Sequence, residues 1–325
     1  MLNQRPTAYH GRGHNHGVVD VDIGADGGAV ADDSKRLEPR SLRGRRGDGS
    51  AGAARQAGGC VMGMGDELMA VACAVNLQRK AMLLGMRYAP IHILDQHHLP
   101  RWHPLFDYYK EWIAKPAESS AGHIVNGPGV RPYIDYEITT LGSESPWHYT
   151  QWSVNSVGPA PDVWPRLAMT AGENGPAVLL HPHIKSKASP NKKWGWERWQ
   201  HLANLLRGNY TLYQIGPEGT RKLDGVRLIE TATFFDAIPA IKAMDLAVLP
   251  EGGLHHAAAC VGTLAVVLFG HMLDPLNTGY SIHKNLAAED SPCGERVPCG
   301  RCAEWWNELD PETVASEIER CLKQS

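Results

Sequence analysis

The sequence lacks any apolar run approaching the roughly 18 residues that a membrane-spanning helix needs. No apolar segment of the secretory type follows the N-terminus, so no signal peptide is expected. The seven cysteines are odd in number and unevenly placed, which argues against the disulfide framework of a secreted protein. These absences predict a cytoplasmic protein with reduced thiols and at most peripheral contact with a membrane.

The chain also lacks an excess of charge of either sign, because its 325 residues carry a formal net charge of only -3. Nucleic-acid binding usually requires a strongly basic surface, so no nucleic-acid partner is expected. Hydrophobic residues make up 43% of the chain, enough for a sizeable core. The length suits about two domains.

Residues 1–57 have few aromatic side chains and show neither a helical nor a strand period. Their glycine and arginine content is typical of a chain that cannot bury enough apolar surface to fold. We therefore predict a disordered N-terminal extension over residues 1–57. The segment "HGRGHNHG" at 10–17 could bind a metal, but a flexible tail is the favoured interpretation.

From Cys60 the pattern changes to alternating strands and helices. A short strand, a glycine turn at Gly63 and Gly65 and a buried helix from Asp66 to about Lys80 are predicted first. Further strands are predicted at 89–94 and 123–126, and the Pro/Gly/Ser/Trp-rich stretch 140–176 is the best candidate for a linker. This pattern predicts an N-terminal domain over 58–168 and a C-terminal domain over 169–325.

The C-terminal half is more regular, with apolar strands predicted at 177–181, 210–216, 226–230, 246–250 and 264–270. Helices are predicted after Lys193, over 233–244, after Glu251 and from Pro311, with Asp310 as the last N-cap. Pro239 should begin or kink the second of these helices. Apolar strands that alternate with helices indicate a parallel sheet between helical layers.

Ligands bind beyond the carboxyl ends of the strands in such sheets, and four loops fall there. In "GMGDE", Asp66 and Glu67 either offset the helix dipole or supply a general base. Lys185, Lys187, Lys192 and Lys193 follow a strand and form either a solvated loop or a phosphate site.

The third loop, "PEGGLHH", places Gly252 and Gly253 at a helix N-terminus, where backbone N–H groups favour phosphate. His255 and His256 lie in the first turn of that helix, where a histidine is often structural. The fourth loop, "FGHMLDPLNTGY", is a polar segment after the last buried strand.

Three cysteines lie close together near the C-terminus, in "CGERVPCGRC". Cys293, Cys299 and Cys302 supply three thiols, whereas a structural zinc site usually has four ligands. Reduced structural thiols are the default interpretation. A zinc site completed by Cys321 or by a histidine is the alternative.

Together these motifs resemble glycosyltransferase family 9, the ADP-heptose:lipopolysaccharide heptosyltransferase group. The family pattern has Gly-Asp at the first turn, His-Pro before K-x-W-P-x-E-x-W, D-[ST]-G-x-x-H, and F-G-x-x-x-P with a later Thr-Gly. The corresponding segments here are Gly65-Asp66, His181-Pro182, "KKWGWERW" (192–199), "EGGLHH" (251–256), "FGHMLDP" (269–275) and Thr278-Gly279. The resemblance covers about residues 61–325, and its compact form is similar to heptosyltransferase-like proteins of phages and prophages. The sequence departs from the pattern at Glu251 and Gly252, which replace the aspartate and the hydroxyl residue.

The resemblance implies a GT-B fold, an α/β architecture of two Rossmann-like domains with parallel sheets facing across a cleft, and a last helix that returns toward the first domain. It also implies inverting, metal-independent sugar transfer without a cofactor, from a nucleotide-sugar donor to a glycan or glycolipid acceptor, as in lipopolysaccharide biosynthesis. Asp66 would be the base, Lys192 would stabilise the leaving diphosphate and Glu251 would contact the sugar. The implied donor-binding residues are Gly65, His181, Lys185, Lys187, Gly252, Gly253, His255, His256, Thr278 and Gly279.

Two other functions remain open at this point. One is another enzyme of the same fold, such as a nucleotide-sugar epimerase, which would act on the donor without an acceptor. The other is a non-catalytic nucleotide-binding or structural module, which the short N-terminal half and the change at Glu251 favour.

Overall fold

The computed structural model describes residues 63–83, 90–95, 97–120, 122–125, 136–138, 147–149, 158–169, 175–185, 188–290 and 292–324. The predicted disordered extension 1–57, the short strand near Cys60 and the side chain of Lys187 lie outside these ranges. The described residues all belong to one compact unit. The predicted boundary between residues 168 and 169 stays a prediction.

Ten strands are present in the described ranges: β1 His92–Leu94, β2 His123–Val125, β3 Tyr136–Ile138, β4 Trp147–Tyr149, β5 Ala177–Leu180, β6 Thr211–Gly216, β7 Arg227–Glu230, β8 Leu246–Pro250, β9 Leu264–Gly270 and β10 Lys284–Ala287. The same ranges contain seven α-helices: α1 Met64–Leu83, α2 Trp196–Leu206, α3 Phe234–Lys242, α4 Gly253–Cys260, α5 Pro275–Thr278, α6 Gly300–Glu308 and α7 Pro311–Gln324. Two 3₁₀ helices, Pro104–Tyr109 and Pro190–Lys192, lie in connecting segments.

The larger sheet has six parallel strands in the order β10-β9-β8-β5-β6-β7. The predicted α/β fold with a parallel sheet is therefore confirmed. The first sheet, β1-β2-β3-β4, is parallel only between β1 and β2, and β3 and β4 pair antiparallel. Only eight residues separate these two strands, and so short a connection suits an antiparallel pair.

Hydrogen bonds from nearby side chains determine where α7 and α3 begin. The Asp310 carboxylate accepts the Thr313 N–H at 2.6 Å, which confirms the predicted N-cap of α7. In α3, Pro239 lies inside the helix, and the prediction that it might begin the helix is wrong. The helix begins five residues earlier because Thr233 and Asp236 form a reciprocal capping box.

The core joins α1 to the larger sheet without interruption. Residues 68–75 of α1 are at most 2% exposed and belong to one hydrophobic cluster with side chains of α3, α4, β8 and β9. Part of the predicted linker belongs to this core as well, since Ala160 and Trp164 are buried in it. The interpretation of 140–176 as a linker stays a prediction, with these two residues packed against the core. Among the described residues, no helix is both long and apolar enough to cross a lipid bilayer.

Candidate functional site

The strand order reverses between β5 and β8, the two central strands of the larger sheet. His181 follows β5 directly and Glu251 follows β8, so both residues lie at the carboxyl edge at this switch point. Ligands of open α/β sheets bind in the crevice at such a point. Two of the site residues predicted from separate motifs are thus neighbours because of the topology.

The N-terminal turns of α1 and α4 meet at this edge. A Cβ atom at Gly65 would lie 2.7 Å from His256 Cδ2 and 3.2 Å from the Gly253 Cα. Gly65 belongs to the first turn of α1, so the predicted glycine turn before the helix is wrong at this residue. Glycine is needed at this position because the two helices pack closely. The donor-binding role of Gly65 stays a prediction.

Asp66 lies in the first turn of α1, and its Oδ2 accepts the Gly63 N–H at 2.9 Å. Burial raises the pKa of this carboxyl above its ordinary value, the Gly63 hydrogen bond opposes the rise, and the charge of Glu251 adds to it. Lys185 and Lys192 are close enough to lower the same pKa. The described structure therefore brings Asp66 together with three other residues singled out in the sequence. A carboxylate with a raised pKa is a better proton acceptor near neutral pH.

Glu67 has a different partner from its neighbour. Its side chain is 2% exposed, and Oε1 accepts a hydrogen bond from Arg101 Nη1 at 2.9 Å. Burial raises the pKa of Glu67, and the Arg101 charge offsets only part of this rise. Sequence reasoning missed Arg101 because it lies 34 residues away, beyond β1. Glu67 is thus a partner of Arg101, and its alternative role as the base stays a prediction.

Lys192 forms an ion pair with Glu251, and both side chains are largely buried. The 3₁₀ helix that ends at Lys192 begins at a Ser189 cap, which fixes the lysine beside the carboxyl end of β8. Lys185 Nζ would lie 3.6 Å from a Cβ atom on Gly63. Two positive charges from one loop therefore lie against two carboxylates, one from the first turn of α1 and one from the segment after β8.

Gly252 and His255 shape the start of α4. Gly252 has φ +152°, a conformation that residues with a side chain rarely adopt, which explains a glycine where the family pattern has a hydroxyl residue. Its N–H donates to His255 Nδ1 at 2.9 Å, and His255 Nε2 donates to the Thr278 carbonyl at 2.8 Å. Both ring nitrogens of His255 are thus engaged with backbone. The structure gives His255 a positioning role for the loop, and its predicted contact with a donor stays a prediction.

His256, Thr278 and Gly279 lie deeper than the sequence indicated. Nδ1 of His256 and the Tyr280 hydroxyl are 2.8 Å apart in a buried contact, and burial keeps the pKa of His256 well below its ordinary value. Thr278 is 1% exposed, and a Cβ atom on Gly279 would lie 2.6 Å from the Pro275 carbonyl oxygen. Tyr280 therefore holds the ring of His256 next to α1. Nothing in the sequence indicated this contact.

A cavity of about 320 Å³ lies next to the switch point, between the carboxyl ends of β5 and β6. Burial, together with nearby His183, lowers the pKa of His181 to about 3, so this ring is neutral. The Arg221 guanidinium lies 3.9 Å from the centroid of the Trp196 ring beside the cavity. The cavity is lined by His181, His183, Ile215, Gly216, Pro217, Thr220 and Arg221.

The three predicted cysteines are close together in the structure. The Sγ atoms of Cys293 and Cys302 are 3.2 Å apart, and Cys299 contacts both thiols. His271, the first residue after β9, lies in the same group with one ring nitrogen within 4.8 Å of these two Sγ atoms. In the sequence, His271 belongs to the fourth loop after the last buried strand. Nothing there indicated that it lies beside the cysteines.

Substituting Gly65 with Ala tests the close approach of α1 and α4. The added methyl group meets a buried ring and backbone, so we expect a loss of about 1–2 kcal/mol of unfolding free energy despite the better helix propensity of alanine. Gly300→Ala is the matched control, because this helical glycine has no atom within 4 Å of its Cβ position. Thermal unfolding of both variants measures the difference. An unchanged melting temperature for Gly65→Ala would contradict the packing described above.

Comparison with known proteins bears on the fold. No family model matches the sequence, and no curated protein matches it. The structure is similar to the iron-containing dodecameric glycosyltransferase TibC from enterotoxigenic E. coli, with a TM-score of 0.52 and 13% identity over 82% of this chain and 77% of TibC.

Two other solved structures match less well. E. coli heptosyltransferase WaaC with ADP has a TM-score of 0.45 and 12% identity over 80% of this chain and 95% of WaaC. E. coli ADP-heptose lps heptosyltransferase II has a TM-score of 0.37 and 20% identity over 52% of this chain, and the match spans 56% of that protein's length. The chain thus has the α/β fold found in the bacterial glycosyltransferase TibC.

Proposed function

We propose that the protein is an inverting glycosyltransferase that moves a sugar from a nucleotide-diphosphate donor to an acceptor hydroxyl of a glycan or glycolipid. The observation that carries this proposal is the meeting of Asp66, Lys185, Lys192 and Glu251 at the switch point of the sheet. A proton acceptor and two cations beside a helix N-terminus are what a displacement with an anionic leaving group needs. The resemblance to glycosyltransferase family 9 and the TibC-like fold support the same activity.

The proposed step is a direct displacement at the anomeric carbon. Asp66 accepts the proton of the acceptor hydroxyl while that oxygen forms a bond to the anomeric carbon. The bond from this carbon to the phosphate oxygen breaks, and its electron pair leaves with the nucleoside diphosphate. Attack from the face opposite the leaving group inverts the configuration at the anomeric carbon.

Negative charge grows on the diphosphate during this step. The N–H groups at the start of α4 and the ammonium of Lys192 would stabilise that charge, so the proposal needs no added divalent cation. Lys192 already pairs with Glu251, and a bound diphosphate would share the lysine with this carboxylate. Glu251 is then placed to accept hydrogen bonds from the sugar hydroxyls.

The cavity beside His181 suits the base of the nucleotide. It adjoins the switch point, and Ile215 and Pro217 give it apolar walls. Flat aromatic bases bind in such sites by stacking and by burial of apolar surface. TibC has been solved with ADP-D-beta-D-heptose, so this nucleotide sugar is the first donor to test and a heptose is the sugar that we propose.

Binding of nucleoside diphosphates tests the donor site. A ligand that binds only the folded protein raises the melting temperature, so ADP, UDP and GDP are compared by thermal shift. We expect Lys192→Ala to weaken binding about tenfold or more, because a charge-assisted contact with the diphosphate is lost. Lys193→Ala is the matched control, since this neighbouring lysine is exposed. Equal ligand-induced shifts in the two variants would contradict the role of Lys192.

Product analysis separates the three candidate functions. A glycosyltransferase releases nucleoside diphosphate at a rate that depends on the acceptor, and an epimerase changes the donor without one. A binding module shows a thermal shift and no turnover. Acceptor-independent conversion or binding without turnover would each overturn the proposed transferase.

A further inference from the structure

The group formed by His271, Cys293, Cys299 and Cys302 lies outside the switch-point site and has no role in the proposed transfer. We propose that these four side chains bind one zinc ion, and that the metal anchors the loop that carries Lys192. Neither part of this proposal depends on the enzymatic activity.

The ligand atoms already have close to the spacing of a metal site. Zinc–sulfur distances of about 2.3 Å in a tetrahedral site place two sulfur atoms about 3.7 Å apart. The Sγ atoms of Cys293 and Cys302 are 3.2 Å apart, and these two atoms and a His271 nitrogen lie within 4.8 Å of one another. Small side-chain rotations would bring three ligands to zinc distances. Cys299, whose thiol interacts with both other thiols but lies outside this three-atom group, would rotate to supply the fourth ligand.

Backbone hydrogen bonds hold the two segments of the site together. Cys293 N–H donates to the His271 carbonyl at 2.8 Å, and Gly294 N–H donates to the Met272 carbonyl at 3.1 Å. The cysteine loop therefore runs beside the end of β9 whether or not a metal is bound. A site that is largely formed before binding loses less conformational entropy when the ion enters.

The surroundings of His271 fit a metal ligand. Asp290 Oδ1 lies 2.7 Å from His271 Nε2, and a carboxylate at one ring nitrogen commonly orients the other toward a metal. Arg301 Nη2 is 2.9 Å from the same nitrogen and 3.3 Å from Nδ1, so its positive charge adjoins the three thiols. Three thiolates and one neutral imidazole around Zn²⁺ carry a net charge of -1, which this guanidinium would offset.

Binding of zinc exchanges the thiol protons for metal–sulfur bonds and releases them to solvent. No oxidant or reductant is needed.

The connection to Lys192 passes through its buried neighbour Asn191. The Asn191 amide donates to the carbonyls of Glu295 and Val297 at 2.9 and 2.7 Å, and its Oδ1 accepts the Cys299 N–H at 3.0 Å. The Trp306 indole N–H donates to the Asn191 carbonyl at 2.7 Å. A metal that fixes the cysteine loop therefore also fixes the residue before Lys192.

Metal analysis of the full chain purified without added metal is the first test. We expect one zinc per chain in the wild type and in Cys321→Ser, a control cysteine outside the group. His271→Ala and Cys302→Ser should each lose most of the zinc. Absence of stoichiometric metal from the wild type, or full retention in both variants, would overturn the site. Stoichiometric iron would overturn zinc as the ion.

A second measurement uses only the wild type, in case the variants do not fold. Removal of zinc by a chelator should make three further thiols reactive toward a thiol reagent. Amide hydrogen exchange should become about tenfold faster at Cys299, whose N–H donates to Asn191 Oδ1, and at Asn191, whose N–H donates to the Ser189 hydroxyl, because both bonds open more often, while β6 stays protected. Unchanged exchange at both residues after the zinc is removed would overturn the anchoring of the Lys192 loop. An intrachain disulfide between Cys293 and Cys302 in the purified protein would also contradict the metal site.

Discussion

Replacing Asp66 with Asn is expected to slow sugar transfer by about a hundredfold to ten-thousandfold, the usual effect of losing a general base. Asparagine has nearly the same size, and its Oδ1 can still accept the Gly63 N–H, so the first turn of α1 should keep its geometry. Nucleotide binding should change little, because the proposed diphosphate contacts belong to Lys192 and α4. Transfer rate and nucleotide affinity are measured on the same preparation.

Asp236→Asn is the matched control for this substitution. Asp236 occupies the equivalent position in α3, where its carboxylate accepts the Thr233 N–H at 2.8 Å, but its side chain is exposed. A purely structural role in capping a helix would therefore give both variants similar, small effects. Near-normal transfer by Asp66→Asn would refute its assignment as the base.

The acid side of the pH profile offers a further check on the same variant. Burial raises the pKa of Asp66, so the wild type should lose activity as pH falls through a value above the ordinary range of an aspartate. The residual activity of Asp66→Asn should not show this acid limb. At neutral pH the variant should unfold at the same or a higher temperature, since an ionised carboxylate no longer has to be buried.

Replacing Arg101 with Met is expected to destabilise the protein by about 3 kcal/mol at pH 8, because the Glu67 carboxylate loses its partner while buried. Arg79→Met is the control, since that exposed guanidinium lies over the Trp112 ring and its loss should lower the unfolding free energy by less than about 1 kcal/mol. The double variant Glu67→Gln, Arg101→Met should recover part of the loss. Chemical denaturation of all four proteins gives the free energies.

The loss in Arg101→Met should depend on pH with a definite sign. Burial already raises the pKa of Glu67 in the folded protein, and removing Arg101 raises it further. A carboxyl with a raised folded-state pKa binds protons more tightly when folded, so its contribution to stability falls as pH rises through that pKa. The variant should therefore be less destabilised at pH 5 than at pH 8. If the loss of unfolding free energy in Arg101→Met were larger at low pH, Glu67 would not be the buried carboxyl that is left without a partner.

Some elements could not be predicted because their local signals are weak. The strand β10 has only four residues, all partly exposed at the sheet edge, and therefore presents no apolar run. The helix α6 starts after Cys299 without a side-chain cap. Its start is set instead by the bond from the Cys299 N–H to Asn191, which is 108 residues away.

The sequence by itself determined the parallel sheet of the second half, the cap of α7 and the loops that reach the carboxyl edge. Apolar strands, capping side chains and glycines act over a few residues, so their signals can be read locally. Only the tertiary structure decided that Asp66 meets Glu251 and Lys192, that Glu67 pairs with Arg101, and that His271 joins the cysteines. These groups come from distant segments whose approach depends on strand order and on glycine contacts between helices. Strand order and contacts between helices produce no periodic pattern and no motif within a single segment, so they cannot be read from the local sequence.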